Sequence, residues 1–319
     1  MQAVVERLLQ SDEPAVRFKA WVSLPGNDPY SDEGQRRRDE IVDSPRVDAL
    51  LAEIGADGRL PGHPYRKWDG AHWVLAVLAD LHYPPGDETL EPLRDQVYEW
   101  LLSKKHLNSV QVIDGRARRC ASQEGNALFS TLALGLADDR AAQLADNLMR
   151  WQWPDGGWNC DKNPFADSSS FMETLIPMRA LALFGRLTGE TKAAQAANRA
   201  AEVFLSRNLF RKKSDGSIIY PYWLRLHYPC YFEYDILFAL KVMVEAGFIQ
   251  DSRCQEALDV LEGKRLPDGG FPAEEKFYRV SHTGPSRRSP VDWGGVDRNR
   301  MNEFVTAEAL GVLQAAGRG

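Results

Sequence analysis

The chain has 319 residues, 44% of them hydrophobic and 26% charged, a globular composition with material for one large core. A formal net charge of −6 excludes a general grip on nucleic acid through phosphate neutralisation. Mean hydropathy is −0.41, and apolar runs such as 175–184 are broken by Pro177 and Arg179, so no bilayer-spanning segment is expected. Contact with a membrane surface stays open.

The opening residues form an amphipathic turn or two with acids and no cleavage-like site, so the cytoplasm is the expected compartment. From Pro14 a short apolar helix is expected. Further apolar helices start near Asp69, Ser122, Ser169, Tyr231 and Asn299, and are apolar over most of their circumference, as helices packed on both sides are. Between them run amphipathic helices at 89–104, 140–151, 192–208 and 254–265, with apolar residues at three- and four-residue steps. Ser122 and Ser169 stand where N-caps belong, and Gly185 and Gly247 where helices should stop. Connections at 207–230 and 271–298 are long enough to be lids or binding segments.

An Asp-Gly step recurs at Asp57, Asp114, Asp155, Asp215 and Asp268, at intervals of 41 to 60 residues. Irregular periods of that size indicate a repeat array with variable loops. Alternating polar-faced and apolar helices, joined as hairpins, predict an all-α, (α/α) barrel formed by one domain over 1–319. Residues 1–56 would close the ring and 57–319 would supply the repeats.

Gln152-Trp153-Pro154-Asp155-Gly156-Gly157-Trp158 matches the QxxDGGW repeat of squalene-hopene and oxidosqualene cyclases. Residues 264–271 and 111–116 are read as degenerate copies. The chain therefore resembles the terpenoid-cyclase and protein-prenyltransferase superfamily, in particular its small single-domain bacterial relatives. The resemblance implies an (α/α) toroid of about six helical hairpins, braced by Asp155 and Trp158. It also shows departures. The DxDD motif of cyclases that protonate an alkene or epoxide is absent, and Ser169 stands where protein prenyltransferases carry a zinc-binding cysteine. The zinc motifs of lanthipeptide cyclases are missing as well.

Each apolar helix carries an acid near its start: Asp69, Glu124, Glu173, Asp235 and Glu303. Such acids complement the helix dipole; converging, they would also raise one another's pKa and leave a proton donor. Asp69, His72 and Trp73 share one helix face, which suits a general acid/base pair. His227 precedes Asp235 in a segment rich in tyrosine, and aromatic walls suit a cationic intermediate. The expected catalytic set is Asp69, His72, Glu124 and Asp235. Trp68, Trp73, Trp158, Glu173, His227, Tyr231, Tyr234 and Glu303 are expected to line the pocket.

The predicted activity is that of a terpene-cyclase-like enzyme acting on an isoprenoid-like or other apolar small molecule, without a cofactor. The alternatives are a carbohydrate-active hydrolase or lyase, and a toroid that binds without catalysing. Four cysteines (Cys120, Cys160, Cys230, Cys254) are far apart and form no CxxC pair, so neither a disulfide framework nor a metal site is expected. The oligomeric state is left open.

Overall fold

The computed structural model describes residues 2–281 and 286–319. Fourteen α-helices among the described residues account for most of the order. They are α1 (Gln2–Leu9), α2 (Pro14–Val22), α3 (Asp32–Asp39), α4 (Pro45–Leu51), α5 (Ala71–Asp80), α6 (Glu91–Leu101) and α7 (Lys104–Leu107). There follow α8 (Ser122–Ala133), α9 (Arg140–Trp151), α10 (Phe171–Thr188), α11 (Thr191–Leu205), α12 (Ile236–Glu245), α13 (Gln255–Glu262) and α14 (Glu303–Ala315). Strands are two to five residues long and pair only two at a time, so the architecture is helical. No helix among the described residues is long and apolar enough to cross a membrane.

The six apolar helices pack in a chain of neighbours: α5 on α8, α8 on α10, α10 on α12, α12 on α14 and α14 on α2. Each is buried over most of its length, as an all-round apolar surface requires. Where they meet, a buried ion network crosses between them. Lys19 of α2 pairs with Glu308 of α14, which also takes Lys241 of α12 at 2.8 Å. Lys241 reaches Asp80 of α5 at 3.2 Å, and Asp80 reaches Arg179 of α10 at 2.8 Å. Arg179 also binds Glu245 of α12 at 2.5 Å and lies 3.5 Å from the ring centre of Phe129 on α8. Five of the helices therefore supply one cluster of three cations and three anions, and α8 adds the Phe129 ring.

The QxxDGGW segment braces its surroundings as expected. Gln152 donates to the carbonyls of Gly156 (2.7 Å) and Ala196 on α11 (2.8 Å). Asp155 accepts from the amide and hydroxyl of Ser169 (2.8 and 2.6 Å), and the buried Trp158 donates to the Leu148 carbonyl at the end of α9 (2.9 Å). Gly156 adopts φ +102°, and a Cβ there would stand 2.3 Å from the Arg199 carbonyl oxygen, so only glycine fits.

The same turn recurs at 55–59 and 266–270. Trp153 N–H to Gly157 O and Gly156 N–H to Trp153 O are repeated by Leu266–Gly270 and Gly269–Leu266, and by Gly55–Arg59 and Gly58–Gly55. All these bonds are 2.8–3.0 Å. Two other Asp-Gly steps do something else. Asp114 and Gly115 have φ +51° and +68° and turn the hairpin of β1 (Gln111–Ile113) and β2 (Arg116–Arg118), so 111–116 is not a copy of the repeat. Asp215-Gly216 closes a loop between Arg211 and Ile218, which form an antiparallel bridge.

Helix ends differ from expectation in several places: α12 starts at Ile236 rather than near Tyr231, and α14 at Glu303 rather than near Asn299, because Asp297–Met301 is a strand. Ser122 lies inside α8, whose N-cap position is Ala121, and Ser170 rather than Ser169 precedes α10, because the Ser169 side chain is engaged by Asp155. Gly185 does not end α10; a Cβ there would be 3.0 Å from the Ala194 amide, so it lets α11 approach closely. The helix stops instead at Gly189, in the left-handed region.

Candidate active site at the helix N-termini

The expected acids stand at the starts of the apolar helices, each with its own partners. Asp69 is held between Arg66 (2.7 Å) and Arg288, rather than by His72. Glu173 accepts the Ser122 amide at 3.0 Å, and Glu303 accepts the Ser11 hydroxyl at 2.6 Å. Asp235 caps α12 through the Phe238 amide (2.7 Å), and its other oxygen accepts the His227 amide (3.0 Å) and faces His227 Nδ1 (2.8 Å). Burial alone would lower the His227 pKa, but the Asp235 carboxylate outweighs it and raises the value.

Glu124 is fully buried in the first turn of α8. Arg119 donates to both carboxyl oxygens (2.6–3.2 Å), and His106 Nε2 lies 3.1 Å away. Burial pushes the Glu124 pKa up to about 7 although Arg119 pulls the other way. Burial likewise raises Glu173, its neighbour across the α8–α10 contact. His106 is packed against Trp100, and Trp100 against Tyr65 and His72.

His72 continues that wall to Trp73, and Trp73 to Trp68 edge-on at 4.7 Å. Trp68 stacks on Tyr231 at 4.0 Å and 7°. The predicted residues Trp68, His72, Trp73 and Tyr231 are thus one buried aromatic body. Both ring nitrogens of His72 are buried without a hydrogen-bond partner in the structure, and burial lowers its pKa to about 3, so it is neutral. Trp158 and Tyr234 lie elsewhere. Tyr234 packs against Phe171 and Phe204 and donates to the Leu209 carbonyl.

The 271–298 connection lies over this aromatic body. Trp68 N–H donates to Arg288 O (2.9 Å), Arg288 N–H to Lys67 O (3.1 Å), and the Trp68 indole to Phe277 O (2.7 Å). Its residues 282–285 lie outside the described residues. Cavities of about 320 and 480 Å³ flank the ion network at the opposite ends of the apolar helices, sharing His82, Lys241 and Glu245. A third, of about 380 Å³, is lined by Trp293, Arg300, Glu303 and Phe304.

Sequence spacing gave no sign of one further cluster. Cys120, Cys160 and Glu173 bring two sulfurs and a carboxylate oxygen within 4.8 Å of one another. Both cysteines are free thiols, and a hydrogen bond between them holds the Cys160 pKa down and drives that of Cys120 up. The cause is the β2 strand, which runs beside residue 159 and could not be read from the cysteine positions. No protein-family model matches the chain, and no curated protein matches it either.

Proposed function

We propose that the chain is an (α/α) toroid of the terpenoid-cyclase and prenyltransferase kind, acting on a small, largely apolar molecule by proton transfer at the N-terminal ends of its inner helices. Six apolar helices meeting at one ion network, with three shared turns, support the toroid. The observation that carries the chemistry is Glu124, a buried carboxyl whose pKa lies near neutrality at the edge of a continuous aromatic wall. A carboxyl poised there donates a proton with its conjugate base held by Arg119, and ring faces stabilise the cation that follows. Asp69 and Asp235 act indirectly in this reading, the first by holding Arg288 and the second by orienting His227.

The test is turnover of polyprenyl diphosphates and unfunctionalised polyprenes, followed by mass spectrometry of the products. Glu124→Gln should lower turnover by about 10²-fold or more with an unchanged far-UV circular dichroism spectrum. A well-folded wild-type chain that neither binds nor converts any of these compounds overturns the proposal. One observation favours a second reading, a toroid that binds without catalysing: a neutral ion network ties the apolar helices together where they meet. The same assay decides between the two.

A further inference from the structure

Cys120 and Cys160 are 40 residues apart in sequence, and backbone pairing brings them together. Arg118 bridges Asn159 in parallel, and Arg119 N–H donates to Asn159 O at 3.0 Å, so the residues that follow each strand, Cys120 and Cys160, fall side by side. Cys160 is also two residues beyond Trp158, on the exit from the braced turn, which fixes it from the other side. Glu173 enters from the first turn of α10. Its Oε2 takes the Ser122 amide, which sets the carboxylate plane, and its Oε1 faces the Cys160 sulfur at 3.7 Å.

That separation has a chemical meaning. An ion with Zn–S of about 2.3 Å and Zn–O of about 2.0 Å in a tetrahedral arrangement sets sulfur and oxygen about 3.5 Å apart. Donor atoms that already lie within 4.8 Å of one another need to close by about an ångström at most. Two sulfurs and one carboxylate suit a borderline-soft divalent ion, and a 2+ charge offsets the crowding of three anionic donors. A backbone amide orienting the ligand carboxylate is the outer support such sites use. A simple disulfide, by contrast, would give Glu173 no part.

We propose that Cys120, Cys160 and Glu173 bind one zinc ion, with the fourth position open to water or a substrate atom. Both cysteines are only half-buried, so that position is reachable from outside. Three protein ligands with an open fourth place mark a catalytic rather than a structural zinc site. The inference rests on these three residues and not on the isoprenoid reading, so it can fail or stand independently of it.

The test is elemental analysis of the full chain, purified under reductant and dialysed against a weak chelator. The expected result is about one zinc per chain. Cys120→Ser, Cys160→Ser and Glu173→Gln should each weaken binding by at least about tenfold, while Cys254→Ser retains the metal. For the wild-type chain, which needs no variant to fold, cobalt in place of zinc should give thiolate-to-metal charge-transfer absorption. Bound zinc should also slow alkylation of Cys120 and Cys160. A metal-free chain with both thiols reduced, zinc retained in all three ligand variants, or a Cys120–Cys160 disulfide in freshly lysed cells would each overturn the proposal.

Discussion

Thr174 and Thr306 hold the same position 132 residues apart. Each hydroxyl accepts the amide of the aromatic residue that ends the braced turn, Trp158 at 3.1 Å and Phe271 at 2.9 Å, and donates back to that residue's carbonyl. Thr174→Val and Thr306→Val keep the shape and leave a buried amide without its acceptor. Each should cost about 1–3 kcal/mol in urea unfolding. Trp158→Ala, which empties a fully buried site, should cost about 3–5 kcal/mol. A Thr174→Val protein as stable as wild type would mean the turn is held by backbone alone.

The ion network predicts strong non-additivity. Lys19→Met leaves Glu308 buried with less compensation and should destabilise by about 3–5 kcal/mol. Adding Glu308→Leu should recover much of that loss, because the paired charges leave together. A double-mutant cycle at one pH checks this. Additive losses would show that the two side chains act independently.

Two buried groups give opposite pH dependences. His72 has its pKa lowered from 6.5 to about 3 by burial, so the stability linked to its neutral form is present above 6.5 and is lost as the pH falls toward 3. His72→Phe should therefore flatten the acid limb by up to about 1.4 kcal/mol per pH unit. Glu124 is raised from 4.5 to about 7, chiefly by burial, so its contribution is present below 4.5 and is lost as the pH rises through 7. Glu124→Gln should flatten that decline with rising pH. Urea midpoints across the range decide it; a difference from wild type that does not change with pH would show that neither group is perturbed.

Arg288 ties the long connection to Asp69, Glu53 and the Lys67 carbonyl. Arg288→Ala should speed amide exchange at Trp68 and proteolytic cleavage within 271–298, without changing exchange in α9 or α11. Unchanged protection at Trp68 would show that the aromatic packing alone holds the segment.

Periodicity in the sequence was enough to place several of the helices, although α12 and α14 start later than expected. The 140–151 prediction coincides with α9, and the expected starts at Pro14 and Ser122 coincide with α2 and α8. The braced turn was legible because glycine, aspartate and tryptophan each have a local reason to be there. The charges inside the apolar helices were not. Lys19, Asp80, Arg179, Lys241 and Glu308 are single polar residues in separate segments, and their partners lie 66 residues or more away for the pairs that join different helices. Local patterning carries no record of such a cluster. Cys120 and Cys160 were obscured for the same reason, since a short bridge at Arg118–Asn159 sets their register. The Asp69–His72 pairing failed because α5 begins only at Ala71, so Asp69 lies ahead of the helix and shares no face with His72, and Arg66 and Arg288 are the stronger partners for its carboxylate.

The packing of α14 on α2 has a consequence for how the chain is made. During synthesis α2 emerges long before the surface it will bury against, since Lys19 and Glu308 are 289 residues apart. Until then the face of α2 that meets α14, and the Lys19 ammonium that needs Glu308, have no final partner. The nascent protein must carry that exposed apolar surface while the residues between α2 and α14 are made, a state prone to aggregation and suited to chaperone capture. A ribosome stalled before α14 should therefore hold a chain that is still protease-sensitive at α2, even though the turns around Trp158 have long been complete.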